Sequence, residues 1–240
     1  MGYTTEFYGE IIANPPLNEK ETSFLKSFSE TRRVQRNHAN QGKYFLSDGT
    51  DLFGQNTPNI KEPNTPPDGQ PGLWCNWIAN QNGNIAWNGG EKFYEADKWM
   101  LYINEHFLKE NCFMKLNEPY TYEKFQFQEH KLNGVIYAKG EDPSDLWKLV
   151  VKDSEIFVSV GQVKPEVIFE NLKTTVPKNL NREQLEELLF NAWDNLSNIT
   201  DNMAEWGPLN KIQYTPPMSD LCPEPLALEN HPAPKRLFFR

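Results

Sequence analysis

Residues 73–108 read LWCNWIANQNGNIAWNGGEKFYEADKWMLYINEHFL, and this stretch decides the fold class. Residues 73–78 are apolar and aromatic, as are 84–87. Asn82-Gly83 lies between them, a dipeptide that supplies the positive φ angles of a tight hairpin turn. The pattern predicts two antiparallel strands. Gly89-Gly90 breaks the second, and from residue 91 the period changes. Phe93, Ala96, Met100, Ile103 and Phe107 recur at helical spacing, and Trp99, Leu101 and Leu108 widen the stripe. The expectation is a helix over 91–108 that covers a tryptophan-rich sheet.

Working outward, residues 3–13 alternate as a strand and Pro15-Pro16 ends it. Asn18 with Glu21 three residues later forms a capping-box pattern, and Leu25 and Phe28 are the expected core face of the helix that follows. That helix is expected to end near Thr31, before Arg32, Arg33 and Arg36. Residues 37–72 are rich in Asn, Gly, Pro and Asp and read as a long loop with one short strand. Residues 112–163 read as a meander: a strand over 120–127, another over 135–138, and a hairpin of 146–151 with 156–160 around Asp153-Ser154. After a link over 164–180, Asn181 and Gln184 start a third helix. Its apolar face holds Leu185, Leu188, Leu189, Ala192, Trp193, Leu196 and Ile199. The remainder is proline-rich and ends KRLFFR. The fold class is therefore α+β. A largely antiparallel sheet is packed by one long amphipathic helix and a shorter N-terminal helix. The expected division is a core domain over 1–163 and a C-terminal helix with an extended arm over 164–240.

The 240 residues carry a net charge of -9, which opposes non-specific binding to nucleic acid and argues against a duplex partner. Hydrophobic residues are 38% and aromatic residues 13%, so a lean core is built from large side chains. Cys75, Cys112 and Cys222 are odd in number and far apart, which fits free thiols in a reducing, cytoplasmic setting. The start of the chain lacks a signal-peptide pattern, and no apolar run is long enough to span a membrane.

The segments MGYTTEFYGEI, GQPGLWCNW, GGEKFYEADKW and LNGVIYAKGEDPSDLWKLVVKD together resemble a family of small bacterial and phage proteins. The resemblance covers roughly residues 1–160. It implies a shared fold unit and brings no activity with it. Residues 118–131 read as an insertion and 175–240 as an extension. A phage origin would suit such an extension and would place the protein in the host cytoplasm.

No catalytic or metal-binding signature is present: the four histidines make no HExxH and no zinc-finger spacing. Cys75 and His106 form a dyad only if strand and helix bring them together; otherwise they are a buried thiol and a surface imidazole. Glu91 and Glu95 are either paired carboxylates or acids placed at a positive helix end. The sequence offers one small-ligand hypothesis. Arg32, Arg33 and Arg36 would pair with an anion, while Gln70, Trp74, Trp77 and Trp87 line or stack on a nucleotide. The competing reading assigns the tryptophans to the core. A partner-binding set is Leu185, Leu189, Trp193, Phe238 and Phe239. The expectation is a non-catalytic interaction protein that engages a protein partner or itself through its C-terminal helix and tail. The alternative is a nucleotide-binding or nucleotide-sequestering protein using Arg32 and Arg33. No cofactor and no metal are expected.

Overall fold

A computed structural model describes residues 2–37, 44–47, 60–142, 144–164, 181–194, 196 and 199–217. Ten strands are described: β1 Thr5–Asn14, β2 Gln35–Arg36, β3 Ile60–Glu62, β4 Trp77–Ala79, β5 Ile85–Trp87, β6 Lys131–Gly140, β7 Leu146–Lys152, β8 Glu155–Val163, β9 Ala204–Trp206 and β10 Asn210–Lys211. The described helices are α1 Glu19–Ser29, α2 Ala96–Ile103, α3 Phe113–Asn117, α4 Pro119–Lys124 and α5 Arg182–Asp194. Eight strands form one antiparallel sheet in the order β10-β8-β7-β6-β1-β5-β4, with β9 also pairing β8, and β2 pairs β3 apart from it. No described helix is long and apolar enough to cross a membrane.

The N-terminal strand lies between β6 and β5, so it is paired on both sides. Its inner face carries Phe7, Ile11 and Ala13, all buried, in register with Ala138, Gly134 and Leu132 of β6. The period of two sends Glu6, Tyr8 and Ile12 to the other face. Gly9 sits at φ +106, and a Cβ there would lie 2.5 Å from the Val135 carbonyl oxygen, so the approach of β1 to β6 requires glycine. Between β4 and β5, Gly83 takes φ +73 in the Asn82-Gly83 turn, and its carbonyl accepts from Leu17 N.

The cap of α1 forms as its sequence pattern requires. Asn18 Oδ1 accepts from Lys20 N and Glu21 N, and Glu21 Oε2 accepts from Asn18 N at 2.8 Å. Such caps contribute about 1 kcal/mol. Phe24, Leu25 and Phe28 are wholly buried, and Phe24 meets Phe107, Phe125 and Phe127 edge-on at 4.9–5.1 Å. A second aromatic knot centres on Phe7, whose ring contacts Trp77, Trp87, Phe93 and Trp147 at 5.3–5.8 Å.

Three elements differ from the sequence reading. The helix expected over 91–108 begins at Ala96, because Lys92 and Glu95 take φ +57 and +55 and hold the chain in a turn before it. Past Ile103 it widens into a π turn over Asn104–Leu108, where Lys109 N reaches back to Asn104 O. The expected core residues Phe93, Ala96, Met100, Ile103 and Phe107 are all buried. Residues 119–124 are helix α4, not strand; proline at its first position fits a helix start and does not fit a sheet ladder. The strand expected over 73–78 shortens to β4.

The outer face of the sheet has its own smaller cluster. Trp193, Leu196, Ile199 and Ala204 are buried with Leu146, and Tyr137, Val163, Met203 and Trp206 pack on them. Lys139, 6% exposed, donates to Leu196 O at 2.9 Å. Residues 204–211 then add β9 and β10 to β8.

Candidate functional site

The segment after α1 is the frame of the site. Arg33 N donates to Leu73 O at 2.8 Å and Gln35 N to Thr65 O at 3.0 Å, so residues 60–73 run beside 32–36. This brings Arg32, Arg33, Arg36 and Gln70 into one region. Arg32 donates to Asn64 Oδ1 at 3.0 Å. Arg36 donates to Val34 O and lies over the Phe45 ring at 4.2 Å.

Arg33 differs from its neighbours because it has no exposure at all. One Nη2 donor reaches Phe45 O at 2.5 Å, and the guanidinium lies over the Phe28 ring at 4.3 Å. Among the described residues, its Nε and Nη1 atoms have no hydrogen-bond partner. Burial lowers its pKa to about 9, with the Arg36 charge acting in the same direction and Tyr102 and Cys75 opposing. Trp99, on α2 and also wholly buried, has an Nε1 donor with no partner. The Phe28 ring joins the two residues: its centroid lies 6.1 Å from that of Trp99 and 6.3 Å from that of Tyr102. The core thus holds orphan N–H donors and a cation that forms no salt bridge among the described residues.

A polar chain continues from there. Gln70 Nε2 donates to the Tyr102 hydroxyl at 3.1 Å, and Tyr102 stacks on His106 with ring centroids 3.9 Å apart. His106 lies on the π turn, and its two ring nitrogens face the Tyr44 hydroxyl at 2.7 Å and the Tyr214 hydroxyl at 2.6 Å. Burial raises the pKa of all three tyrosines, that of Tyr214 to about 12, so they are neutral donors and acceptors. His106 therefore pins two distant segments, residues 44–47 and 212–217, to the helix. No spacing rule connects positions 44, 102, 106 and 214, so the sequence reading did not assemble them as a group.

The tryptophans go mostly to the core. Trp77 is wholly buried and donates from Nε1 to Ala96 O at 2.8 Å; Trp87 is half-buried and donates to Gly90 O at 3.2 Å. Trp74 is half-buried. With no exposure and with the Phe7 and Phe93 rings meeting it in edge contacts at 5.3 and 5.1 Å, Trp77 has no face open to a stacked base. Trp193 is 2% exposed and donates to Gly140 O at 3.1 Å, so its ring is spent on its own sheet. The side chains of Leu185 and Leu189, and residues Phe238 and Phe239, lie outside what the structure describes.

Cys75 and His106 do not form a dyad. The thiol is buried, with its pKa pushed up to about 12, and the imidazole is engaged on both nitrogens by hydroxyls. Glu91 and Glu95 precede the helix, and Glu95 pairs with Lys98. Among the described residues, no three His, Cys, Asp or Glu side chains are grouped as metal ligands.

The fold and the site define an α+β protein with a donor-rich core beside its first two helices. Compared with known family models, with curated proteins and with solved structures, the chain matches none of them.

Proposed function

We propose that the protein is a non-catalytic binding protein whose buried Arg33 receives a small anion, a phosphate or carboxylate group, with nucleotides as one source of it. The observation that carries this reading is the wholly buried guanidinium with two unpartnered nitrogens. Buried charges are normally paired, and an orphan donor in the core costs about 1–3 kcal/mol. The Phe28 ring offers cation–π attraction but no acceptor for those N–H groups. Trp99 Nε1 adds a further donor in the same region. The overall charge of -9 does not bear on this local balance. The protonated Cys75 thiol and the double engagement of His106 leave no Cys–His dyad for nucleophilic catalysis.

A thermal-shift series tests the reading. Phosphate, citrate, AMP and a cyclic dinucleotide are compared with chloride at equal ionic strength. At least one anion is expected to raise the melting temperature of wild-type protein and to leave Arg33→Met unmoved. At a hundred times its Kd such a ligand stabilises by about 2.7 kcal/mol. No shift at millimolar anion, or the same shift in both proteins, removes the proposal.

The second reading, a protein partner engaged through the C-terminal helix and tail, is favoured by Phe190, which is 54% exposed on α5. If α5 mediates self-association, light scattering after size exclusion will give a dimer mass for the full chain and a monomer mass for Phe190→Ser. Equal masses for the two proteins exclude self-association through this residue.

A further inference from the structure

The π turn borders a second region of unspent hydrogen bonding, independent of Arg33. A cavity of about 460 Å³ lies between this turn, the β7–β8 turn and the segment that begins with β10. Asn104, the first residue of the π turn, lines it and is 1% exposed. Its Nδ2 donates to Ser154 O at 3.1 Å, and its Oδ1 has no partner among the described residues. A buried amide oxygen without a donor is costly, and the π turn that creates it is a local departure of a kind often found at functional sites.

The walls decide what kind of donor fits. Glu105 and Lys109 pair at 2.5 Å on the π-turn side, and Glu155 and Lys211 pair at 2.5 Å on the strand side. Each side therefore presents one carboxylate and one ammonium. A simple cation or a simple anion would oppose one member of each pair. A molecule with both charges extends each pair without leaving a like charge facing it. Leu101, Ile156 and Ile212 add apolar surface between the two charged sides. Tyr214, whose hydroxyl is held by His106, completes the same wall.

We propose that this cavity binds a small zwitterion, a free α-amino acid with an apolar side chain, whose ammonium donates to Asn104 Oδ1. Its carboxylate is met by a rim lysine, and its side chain lies on Leu101, Ile156 and Ile212. A protonated amine is the donor that an isolated amide oxygen beside Glu105 recognises best, since hydrogen bonds with one charged member are the stronger kind.

The test is a titration of the ¹⁵N-labelled full chain followed by amide chemical shifts. The probes are L-leucine, 3-methylbutylamine (no carboxylate), 4-methylpentanoate (no ammonium) and glycine betaine (no N–H). L-Leucine is expected to give saturable shifts at residues 104–109, 154–156 and 211–214, with a Kd near or below about 1 mM. The three controls are expected to bind at least about tenfold more weakly, as is L-leucine to Asn104→Leu. Glu105→Gln, on the rim, is expected to weaken L-leucine severalfold while leaving the spectrum of the free protein native. It keeps the test open should Asn104→Leu fail to fold. The proposal is overturned if L-leucine gives no saturable shift by about 20 mM. It is equally overturned if any control binds as well, or if folded Asn104→Leu or Glu105→Gln binds like wild type. None of these outcomes bears on the anion response assigned to Arg33.

Discussion

Glu21→Gln is expected to destabilise the protein by about 1–3 kcal/mol, because the amide nitrogen cannot accept a backbone N–H that a carboxylate oxygen accepts now. The side chains of Glu21 and His130 are both wholly buried, and Glu21 Oε1 lies 2.9 Å from His130 Nε2. His130 Nδ1 lies 2.6 Å from the Pro15 carbonyl oxygen. An acceptor against each ring nitrogen, together with two backbone N–H groups donating to Glu21, favours an imidazolium paired with a carboxylate. Glu21 accepts two further bonds, from Gln128 N at 2.6 Å and from Asn18 N at 2.8 Å. One carboxylate therefore ties the cap of α1, the residues before β6 and the imidazolium together. Burial alone would lower the His130 pKa; the Glu21 hydrogen bond, the Pro15 hydrogen bond and the Glu21 charge together outweigh it, and the pKa is raised above 6.5. A folded-state value above the unfolded one contributes stability that is fully present below about pH 6.5 and is lost as pH rises through the folded value. Between those two values the unfolding free energy should fall by up to about 1.4 kcal/mol per pH unit. Urea unfolding of wild type and Glu21→Gln across pH 5.5–9 measures both effects. A loss under about 1 kcal/mol would overturn the first, and parallel pH profiles would show that the pair is not ionic.

Much of this architecture was legible because the decisive signals are local. Asn18 with Glu21 is a cap whose partners lie three residues apart, and it forms as read. Asp153 and Ser154 take positive φ in the turn where the hairpin of β7 and β8 was expected. The apolar stripe from Phe93 to Phe107 identified the buried face of α2. The stripe could not reveal the left-handed Lys92 and Glu95 that delay the helix, because neither residue is glycine and Glu95 suits a first helical turn. The strand read over 120–127 misled for a related reason. Short segments carry too few periods to separate strand from helix, and Pro119 was the better signal. The candidate site was half legible. Arg33 and Gln70 stand out as residues, but burial, which makes Arg33 unusual, is a property of the tertiary fold. His130 gave no sequence signal as the partner of Glu21, since 109 positions separate them.

Arg33→Met is expected to stabilise the protein by about 1–4 kcal/mol in anion-free buffer, the range seen when buried ion pairs are exchanged for apolar side chains of similar volume. The magnitudes favour this sign. On one side stand a charged hydrogen bond to Phe45 O, about 1.5–3 kcal/mol, and the contact with the Phe28 ring, about 2 kcal/mol when desolvated. On the other stand two orphan nitrogens at about 1–3 kcal/mol each and the effective desolvation of a cation, several kcal/mol. Methionine keeps an unbranched apolar stem against Phe28 and removes the unmatched charge. Its thioether adapts to irregular space, so overpacking is minor. In the proposed function, an anion that completes the Arg33 and Trp99 donors offsets that cost. The two expectations constrain each other: the variant should gain stability without ligand and lose the response to it. If Arg33→Met instead loses more than about 2 kcal/mol in every buffer, Phe45 O and the Phe28 ring already suffice for the guanidinium. Arg33 would then be a structural clamp between the end of α1 and residues 44–47, and the anion site would fall with it.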